Sequence, residues 1–413
     1  MSESMISQSV VRDRRNVMDV PVPIGPIGII PTIGSEEMAE MIDKWLVQRR
    51  LEEAEKHVLP VELNGYMKDS YIIKPKCNRF QNGEGNVVLD HTVRGYDVFI
   101  LADVCNYSVK YKIFDQENCM SPDDHFQNIK RIVSAIAGKA KRINVIMPFL
   151  YESRQHRRTG RESMDCALAL QELKNLGVDE ILTFDAHDPR VQNAIPLTGF
   201  ENLQPQYQFI KALVQNADNL IIDRSRMMVV SPDEGAMSRN LYYAQIFGLN
   251  LGMYYKRRDL SKVVDGKNQI VSHDFLSEQS VEGMDILIVD DMIASGQSAL
   301  DIAKDLKKRG CRDVYIFATF GLFTKGTKPF DEAYEAGYIK HVYCTNLTYR
   351  TPEVLKSPWY RDVDLSKFTA YLIDTLNIDK SISDLMSPTE KINAYIHRKK
   401  LIHEDPQMTL SIN

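Results

Sequence analysis

Short runs of Val, Ile and Leu alternate along this chain with stretches whose apolar residues recur every three or four positions. "DVFILAD" (97–103), "RINVIMPFL" (142–150) and "EILTFDAHD" (180–188) are apolar runs of strand length, the last with a polar tip. Between them, residues 125–141 and 163–177 carry their apolar side chains at helical spacing, the second closed by Gly177. Further on the alternation restarts. "YQFIKALVQNA" predicts a helix, 227–235 a strand and loop, 236–248 a helix and 249–258 a strand. Residues 284–291 predict a strand, 298–310 a helix, and 313–323 and 341–346 two more strands. Near the start, "VPIGPIGII" leads into a short strand. It is followed by a helix over "GSEEMAEMIDKWLVQRRLEEAEK", with Ser35 as N-cap and acids in the first turn. Continuous apolar strands separated by amphipathic helices predict mainly parallel sheets covered on both faces.

Because the alternation occurs twice, with a break near Pro196, two α/β domains are expected, at 21–195 and 196–350. Residues 1–20 read as a flexible arm. Residues 351–413 read as a helical, charged tail, for which packing back on the N-terminal domain is one arrangement. The segment 104–124 fits neither period and reads as an inserted loop or edge hairpin.

Composition narrows the class without deciding it. A chain of 413 residues exceeds one ordinary core. Charged residues at 26% and hydrophobic ones at 44% are average for a soluble protein. A net charge of -5 gives no basic balance that would favour nucleic acid. No apolar stretch reaches the roughly 18 residues of a membrane helix, and the polar N-terminus lacks a signal-peptide core. A cytoplasmic protein without membrane or nucleic-acid partners is the expectation. Six cysteines without CxxC pairing favour free thiols over a disulfide framework or a zinc site.

The chemistry should sit where strands end, since open parallel sheets bind ligands at their carboxyl edges. The residues after the apolar runs are Arg154, Gln155 and His156; Asp185, His187 and Asp188; Asp233 and Glu234; Lys256, Arg257 and Arg258; Asp290 and Asp291. Acids, a histidine and cations together suit a polyphosphate with a magnesium ion, Mg2+, because the metal takes carboxylates and waters while Lys and Arg meet phosphate oxygens. In "DILIVDDMIASGQSALD" (285–301) two carboxylates close a strand and small residues lead into a helix. Such acids could hold the vicinal hydroxyls of a sugar. The first amides of the helix, with Ser295 and Ser298, could hold a phosphate monoester. The plain alternative is a strand end with solvated acids and an N-cap turn.

These residues also carry a resemblance. "ILIVDDMIASGQS" resembles the phosphoribosyl-pyrophosphate loop of the type I phosphoribosyltransferase fold. "NRFQNGEGNV" (78–87) is similar to the Phe-x-Asn-Gly-Glu motif of ribose-phosphate diphosphokinases. "MPFLYESRQHRRTGRES", "TFDAHD", "VVSPDEGA" and "YYKRRD" resemble further motifs of that family, in the family's order, and "GLFTKG" and "VYCTNLTY" extend the likeness to about residue 350. The resemblance implies two type I phosphoribosyltransferase-like α/β domains and a Mg2+-dependent homo-oligomer. The implied activity transfers the diphosphoryl group of ATP to ribose 5-phosphate. It implies that Phe80, Asn82 and Glu84 reach the adenine, in the family often across a subunit interface, and that Arg154 and Gln155 hold the nucleotide. His187 and Asp233 would bind the metal–triphosphate, and Lys256 and Arg258 would fold over the reacting phosphates from a mobile loop. Asp290 and Asp291 would hold the ribose, with Ser295, Gly296, Gln297 and Ser298 around its 5-phosphate.

The sequence departs from the family at several points. His156 replaces an acid, and Ala294 and Gln297 stand where an acid and a glycine are usual. Glu234-Gly235-Ala236 replaces a run with two consecutive glycines, and Phe320 replaces a histidine. Gln297 matters most, because a glycine lets backbone approach phosphate closely. Two competing readings follow: a catalytically weakened homologue acting as a regulatory subunit, and a phosphoribosyltransferase using a base or amine.

Overall fold

Every residue of the strands Ile27–Pro31 and Asp97–Leu101 is buried, as their apolar runs require, and the one charged member, Asp97, accepts from Arg142, Asn144 and Asn377. A computed structural model describes residues 22–55, 65–158, 160–216, 220–264 and 267–404. At 256–264, 267–273 and 398–404 it describes backbone alone. The expected arm at 1–20 lies outside the described residues. The chain forms two units. The first takes in the described residues up to Thr183, then Asp188–Asn202 and Ser366–Met386. The second takes in Phe184–His187, Leu203–Leu365 and the described residues from Ser387.

In the first unit a five-stranded sheet runs in the order β1 (Ile27–Pro31), β2 (Asp97–Leu101), β3 (Arg142–Ile146), β4 (Glu180–Phe184), β5 (Gly199–Leu203). The first three pairings are parallel, with Ile27 opposite Asp97, Asp97 opposite Arg142 and Asn144 opposite Glu180. Strand β5 lies beyond the break read at residue 196, yet is hydrogen-bonded into this sheet. Helices α1 (Glu36–Glu55), α2 (Pro122–Ile136) and α3 (Asp165–Asn175) accompany the strands. Ser121 caps α2 reciprocally with Asp124, so the helix begins ahead of the apolar residues that predicted it. Two hairpins stand outside the sheet, Pro75–Arg79 with Gly85–Leu89, and Lys110–Ile113 with Gln116–Cys119 inside the segment 104–124.

Helix Ser366–Asn377 packs within this first unit. Fully buried Arg50 of α1 donates to Asp374 (3.0 Å), Asn377 (2.7 Å) and the Tyr66 carbonyl (2.8 Å). A buried guanidinium demands such complete pairing, and here it ties residues more than 300 positions apart.

The second unit holds a seven-stranded sheet. Its chain-order strands are β6 (Met227–Ser231), β7 (Asn250–Val264), β8 (Lys267–Leu276), β9 (Asp285–Ile293), β10 (Val314–Gly321), β11 (His341–Thr345) and β12 (Tyr360–Val363). They lie in the order β8-β7-β6-β9-β10-β11-β12. Only β8 is antiparallel to its neighbour. Helices α4 (Gln206–Asn216), α5 (Met237–Phe247), α6 (Gln297–Lys308) and α7 (Lys328–Glu335) belong here. The apolar face of β9 and β10 packs into a cluster closed by Phe323, Phe330 and Trp359.

Two expectations need correcting in this unit. The polar segment after Arg258 is not a loop: β7 continues to Val264 and pairs with β8, placing Lys256 opposite His273 and Arg258 opposite Ile270. The tail after residue 351 is not simply helical, because Tyr360–Val363 is the edge strand of the sheet, with Tyr360 and Val363 buried. Its sequence hid it, because Arg361 and Asp362 interrupt the apolar residues and leave no strand period to read. Among the described residues no helix is long and apolar enough to cross a membrane.

Candidate active site

Strand order reverses between β6 and β9. From β6 the chain moves outward to β7 and β8, then returns to β9 and moves the other way. Ligands of open α/β sheets bind at such a switch point, beyond the carboxyl ends of the strands. Here the β6–β9 ladder runs from Met227/Asp285 to Val230/Ile288. The next backbone groups turn to a side chain: Asn240 of α5 donates to the Val289 carbonyl (2.7 Å), and the Val289 amide donates to the Asn240 carboxamide oxygen (3.1 Å). Asn240 also donates to Ser231 Oγ at the end of β6 (3.3 Å). One buried carboxamide thus lets two strands part without orphaning their polar groups.

Directly beyond the parting stand Asp290 and Asp291. They are not at the strand tip, as the apolar run suggested. β9 continues against β10, with Asp290 opposite Ala318 and Met292 opposite Phe320. The acids therefore hang on a strand held from one side and open on the other. The His187 ring nitrogen Nδ1 lies 2.6 Å from Asp291 Oδ2. Behind them Arg239 of α5 forks onto Asp185, with Nε at 3.0 and 3.1 Å from its two oxygens and an Nη at 2.7 Å. Thr319 of β10 donates to the same carboxylate at 2.6 Å. Asp185 holds this place at a left-handed φ of 42°, backbone strain that a four-bonded carboxylate can maintain.

The charges interlock. Burial, and then the charge of Asp291, raises the Asp290 carboxyl well above the usual range. Burial acts on Asp291 too, but the His187 hydrogen bond and the Arg239 charge outweigh it and lower its affinity for a proton. Burial opposes the Arg239 charge, and Asp185, Asp291 and Asp290 more than compensate. Asp233, in the turn after β6, contributes to the rise at Asp290, and its own carboxylate accepts the Ala236 amide at 3.1 Å.

After β9 the chain turns through Ala294 and Ser295 into Gly296, whose φ of 80° is left-handed. A Cβ added there would fall inside contact distance of the Phe330 ring, so conformation and space both require glycine. Helix α6 then starts at Gln297, behind an N-cap glycine that has no side chain to cap it; the Gln297 amide makes one long hydrogen bond to Ser295 Oγ (3.4 Å), and a helix start of this kind suits an anion. Gln297 departs from glycine without strain. Its backbone is helical, and its carboxamide donates to Asp301 one turn on, at 2.9 Å. Ser298 is exposed beside it.

Residues 29–177 match the model of the N-terminal domain of ribose phosphate pyrophosphokinase, and residues 199–341 match the phosphoribosyl transferase domain. The chain belongs to the ribose-phosphate pyrophosphokinase family. It is 27% identical over 276 residues to the ribose-phosphate pyrophosphokinase of Mycoplasma genitalium, covering 66% of this chain and 75% of the relative. It is 28% identical over 313 residues to that of Pasteurella multocida, covering 75% and 90%. The crystal structure of phosphoribosylpyrophosphate synthetase from Mycobacterium smegmatis shares the fold, with TM-score 0.64 at 21% identity over 85% of this chain and 98% of that one.

Within this family member, the second unit brings together His187, Asp233, Asp290, Asp291 and the Ser295–Ser298 turn. Lys256 and Arg258 lie on β7, next to β6 in the sheet, and their backbone alone is described. Phe80, Asn82, Glu84, Arg154 and Gln155 belong to the first unit. Phe80 is exposed at a hairpin turn in which Asn82 donates to Glu84 at 2.8 Å; Arg154 and Gln155 are exposed after β3. The departure at His156 is accommodated there too. Its Nε2 lies 3.5 Å from Asp188, which Arg190 forks. The Arg190 hydrogen bond brings the Asp188 carboxyl down to about 2.

Arg239, Asn240 and Thr319 were not read from the sequence. A signal existed for the first two. An arginine and an asparagine lie on the face of α5 that otherwise buries Tyr243, Ala244 and Phe247, and buried polar groups require partners. Which partners they meet depends on strands that are distant in sequence.

Proposed function

We propose that this chain transfers the diphosphoryl group of ATP to the anomeric hydroxyl of ribose 5-phosphate, giving 5-phosphoribosyl 1-diphosphate and AMP. The observation that carries the reading is the switch point of the second sheet, where Asp290 and Asp291 stand beside a helix start entered through Gly296. The acids hold the ribose diol, and the first amides of α6 with Ser295 and Ser298 hold the 5-phosphate. The carboxamide of Gln297, bonded to Asp301, sits outside that contact.

The donor set suits magnesium. Nδ1 of His187 on Asp291 leaves Nε2 as the basic nitrogen when Nδ1 carries the proton, and Asp233 offers a carboxylate on the adjacent strand end. Among the described residues no three His, Cys, Asp or Glu side chains gather to hold a metal alone. Magnesium is commonly held by one or two protein ligands, with waters and substrate phosphates completing its shell. When bound, it supplies positive charge against the phosphate oxygens.

The residues' work is alignment and charge neutralisation. The anomeric oxygen forms its bond to the β-phosphorus as the bond to the AMP oxygen breaks. The hydroxyl proton passes to solvent, and AMP departs with the bonding pair. Lys256 and Arg258 meet the charge gathering on the transferring oxygens. Phe80, Asn82 and Glu84 take the adenine and Arg154 and Gln155 the nucleotide, in a homo-oligomer. All six cysteines are free thiols, which suits a reducing cytosol.

The test is to incubate the protein with ATP, ribose 5-phosphate and Mg2+ and identify the nucleotide product. AMP is expected. ADP would make the protein an ordinary kinase, and no turnover would make it a regulatory homologue.

A further inference from the structure

We infer that Phe114, at the tip of the inserted hairpin, forms a second aromatic wall for the purine base bound at the Phe80–Glu84 turn. The inference rests on the reading above, which places the base there. It concerns a residue in segment 104–124, outside every motif used so far.

Phe114 and Asp115 join the strands Lys110–Ile113 and Gln116–Cys119 at φ of 47° and 63°. A two-residue hairpin loop with both φ values positive is the place for Asn-Gly, and a bulky aromatic there is an outlier. The Phe114 side chain is also 77% exposed. A phenylalanine selected for packing would be buried, and one tolerated for turn geometry would be glycine or asparagine. Strain and exposure therefore coincide on one ring, a combination that points to function.

The tip does not wave in solvent. The Phe114 amide donates to the Gln81 carbonyl (2.9 Å), in the middle of the motif turn. Gly83, at φ of 92°, leaves room for Ile113: a Cβ there would sit 3.2 Å from the Ile113 side chain. Arg79 lies 4.6 Å over the Tyr111 ring and donates to the Gly83 carbonyl (3.0 Å) and to Asp124 (2.9 Å), which also accepts from the Tyr111 hydroxyl (3.2 Å). The two hairpins form one braced piece with Phe114 and the 53% exposed Phe80 at the same end.

The ligand this suits is a planar aromatic base with a polar edge. Rings offer stacking faces, and Asn82 and Glu84 offer donor and acceptor groups beside them.

The experiment compares Phe114→Ala, Phe114→Asn and Phe114→Trp with the wild type. It measures KM for ATP and for ribose 5-phosphate, calorimetric binding of ATP with Mg2+, the thermal midpoint and sedimentation. The Ala and Asn variants should raise KM and Kd for ATP about tenfold, within the range of base–aromatic stacking, with KM for ribose 5-phosphate unchanged. Trp should stay near wild type. Asn accepts positive φ, so that variant should melt no lower than wild type, which separates lost binding from lost folding. ATP affinity within twofold of wild type in the Ala and Asn variants overturns the inference. So does altered sedimentation with unchanged ATP affinity, which would assign the ring to contact between copies. Wild-type protein that binds ATP without forming AMP would sink the proposed reaction, while the calorimetric comparison would still decide the role of Phe114.

Discussion

Gly296→Ala perturbs the hinge between the acidic strand and the anion-binding helix. Two costs add. An alanine at φ of 80° occupies the left-handed region, at about 1–2 kcal/mol. Its methyl group also presses on Phe330, which is fully buried, stacked on Trp359 at 5.0 Å and edge-on to Phe323 at 5.1 Å. A ring wedged this way cannot rotate aside, and overpacking typically costs about 1–3 kcal/mol more. Together these give a loss of about 3 kcal/mol in the second unit. The chain has 2 tryptophans, and Trp359 lies against the perturbed ring. In a Trp45→Phe background its fluorescence therefore reports urea unfolding of this unit. The midpoint should fall, and ribose 5-phosphate should bind at least tenfold more weakly because the start of α6 is displaced. A double-mutant cycle with Phe330→Leu isolates the clash: in that background the alanine should cost only its backbone share, about 1–2 kcal/mol. A loss under about 0.5 kcal/mol in the single variant, or an undiminished loss in the Leu background, would refute this reasoning.

Asp185→Asn leaves the part-buried Arg239 guanidinium without its charged, forked partner, and breaking a fully buried pair costs about 3–5 kcal/mol, an upper bound here; urea unfolding at pH 7 should show a drop of about 2–4 kcal/mol, with a marginal change counting against the pair. Glu180, at the start of β4, is pushed up to about 7 from 4.5, chiefly by burial. Its folded state therefore holds the proton more tightly: its stabilising contribution is complete below pH 4.5 and is lost as pH rises to about 7, roughly 3 kcal/mol in all. Glu180→Gln should accordingly match wild type in unfolding free energy near pH 4 and exceed it at pH 8; equal stability at both would dismiss the shift. Lys256→Ala should lower kcat by about 10²–10³ while leaving ribose 5-phosphate affinity within twofold, as expected for charge supplied to the transferring phosphates; wild-type turnover would remove Lys256 from the reaction.

The alternating runs of Val and Ile with amphipathic helices determined two parallel α/β sheets, because each period reports whether a segment buries one face or two. The "VDD…SGQS" stretch likewise carried its own chemistry, since an acid pair, a turn glycine and a helix start are local in the chain. Neighbourhood was decided elsewhere. That the β6–β9 ladder parts after Val230 and Ile288, and that Asn240 takes up the freed Val289 groups, depends on strand order and register. Arg239 finds Asp185, and His187 finds Asp291, across 54 and 104 positions of sequence. The β7–β8 hairpin and edge strand β12 were obscured because polar strands satisfy their backbone with a partner that no local period names. Residue types set what each strand end could do; packing among distant segments chose which ends would do it together.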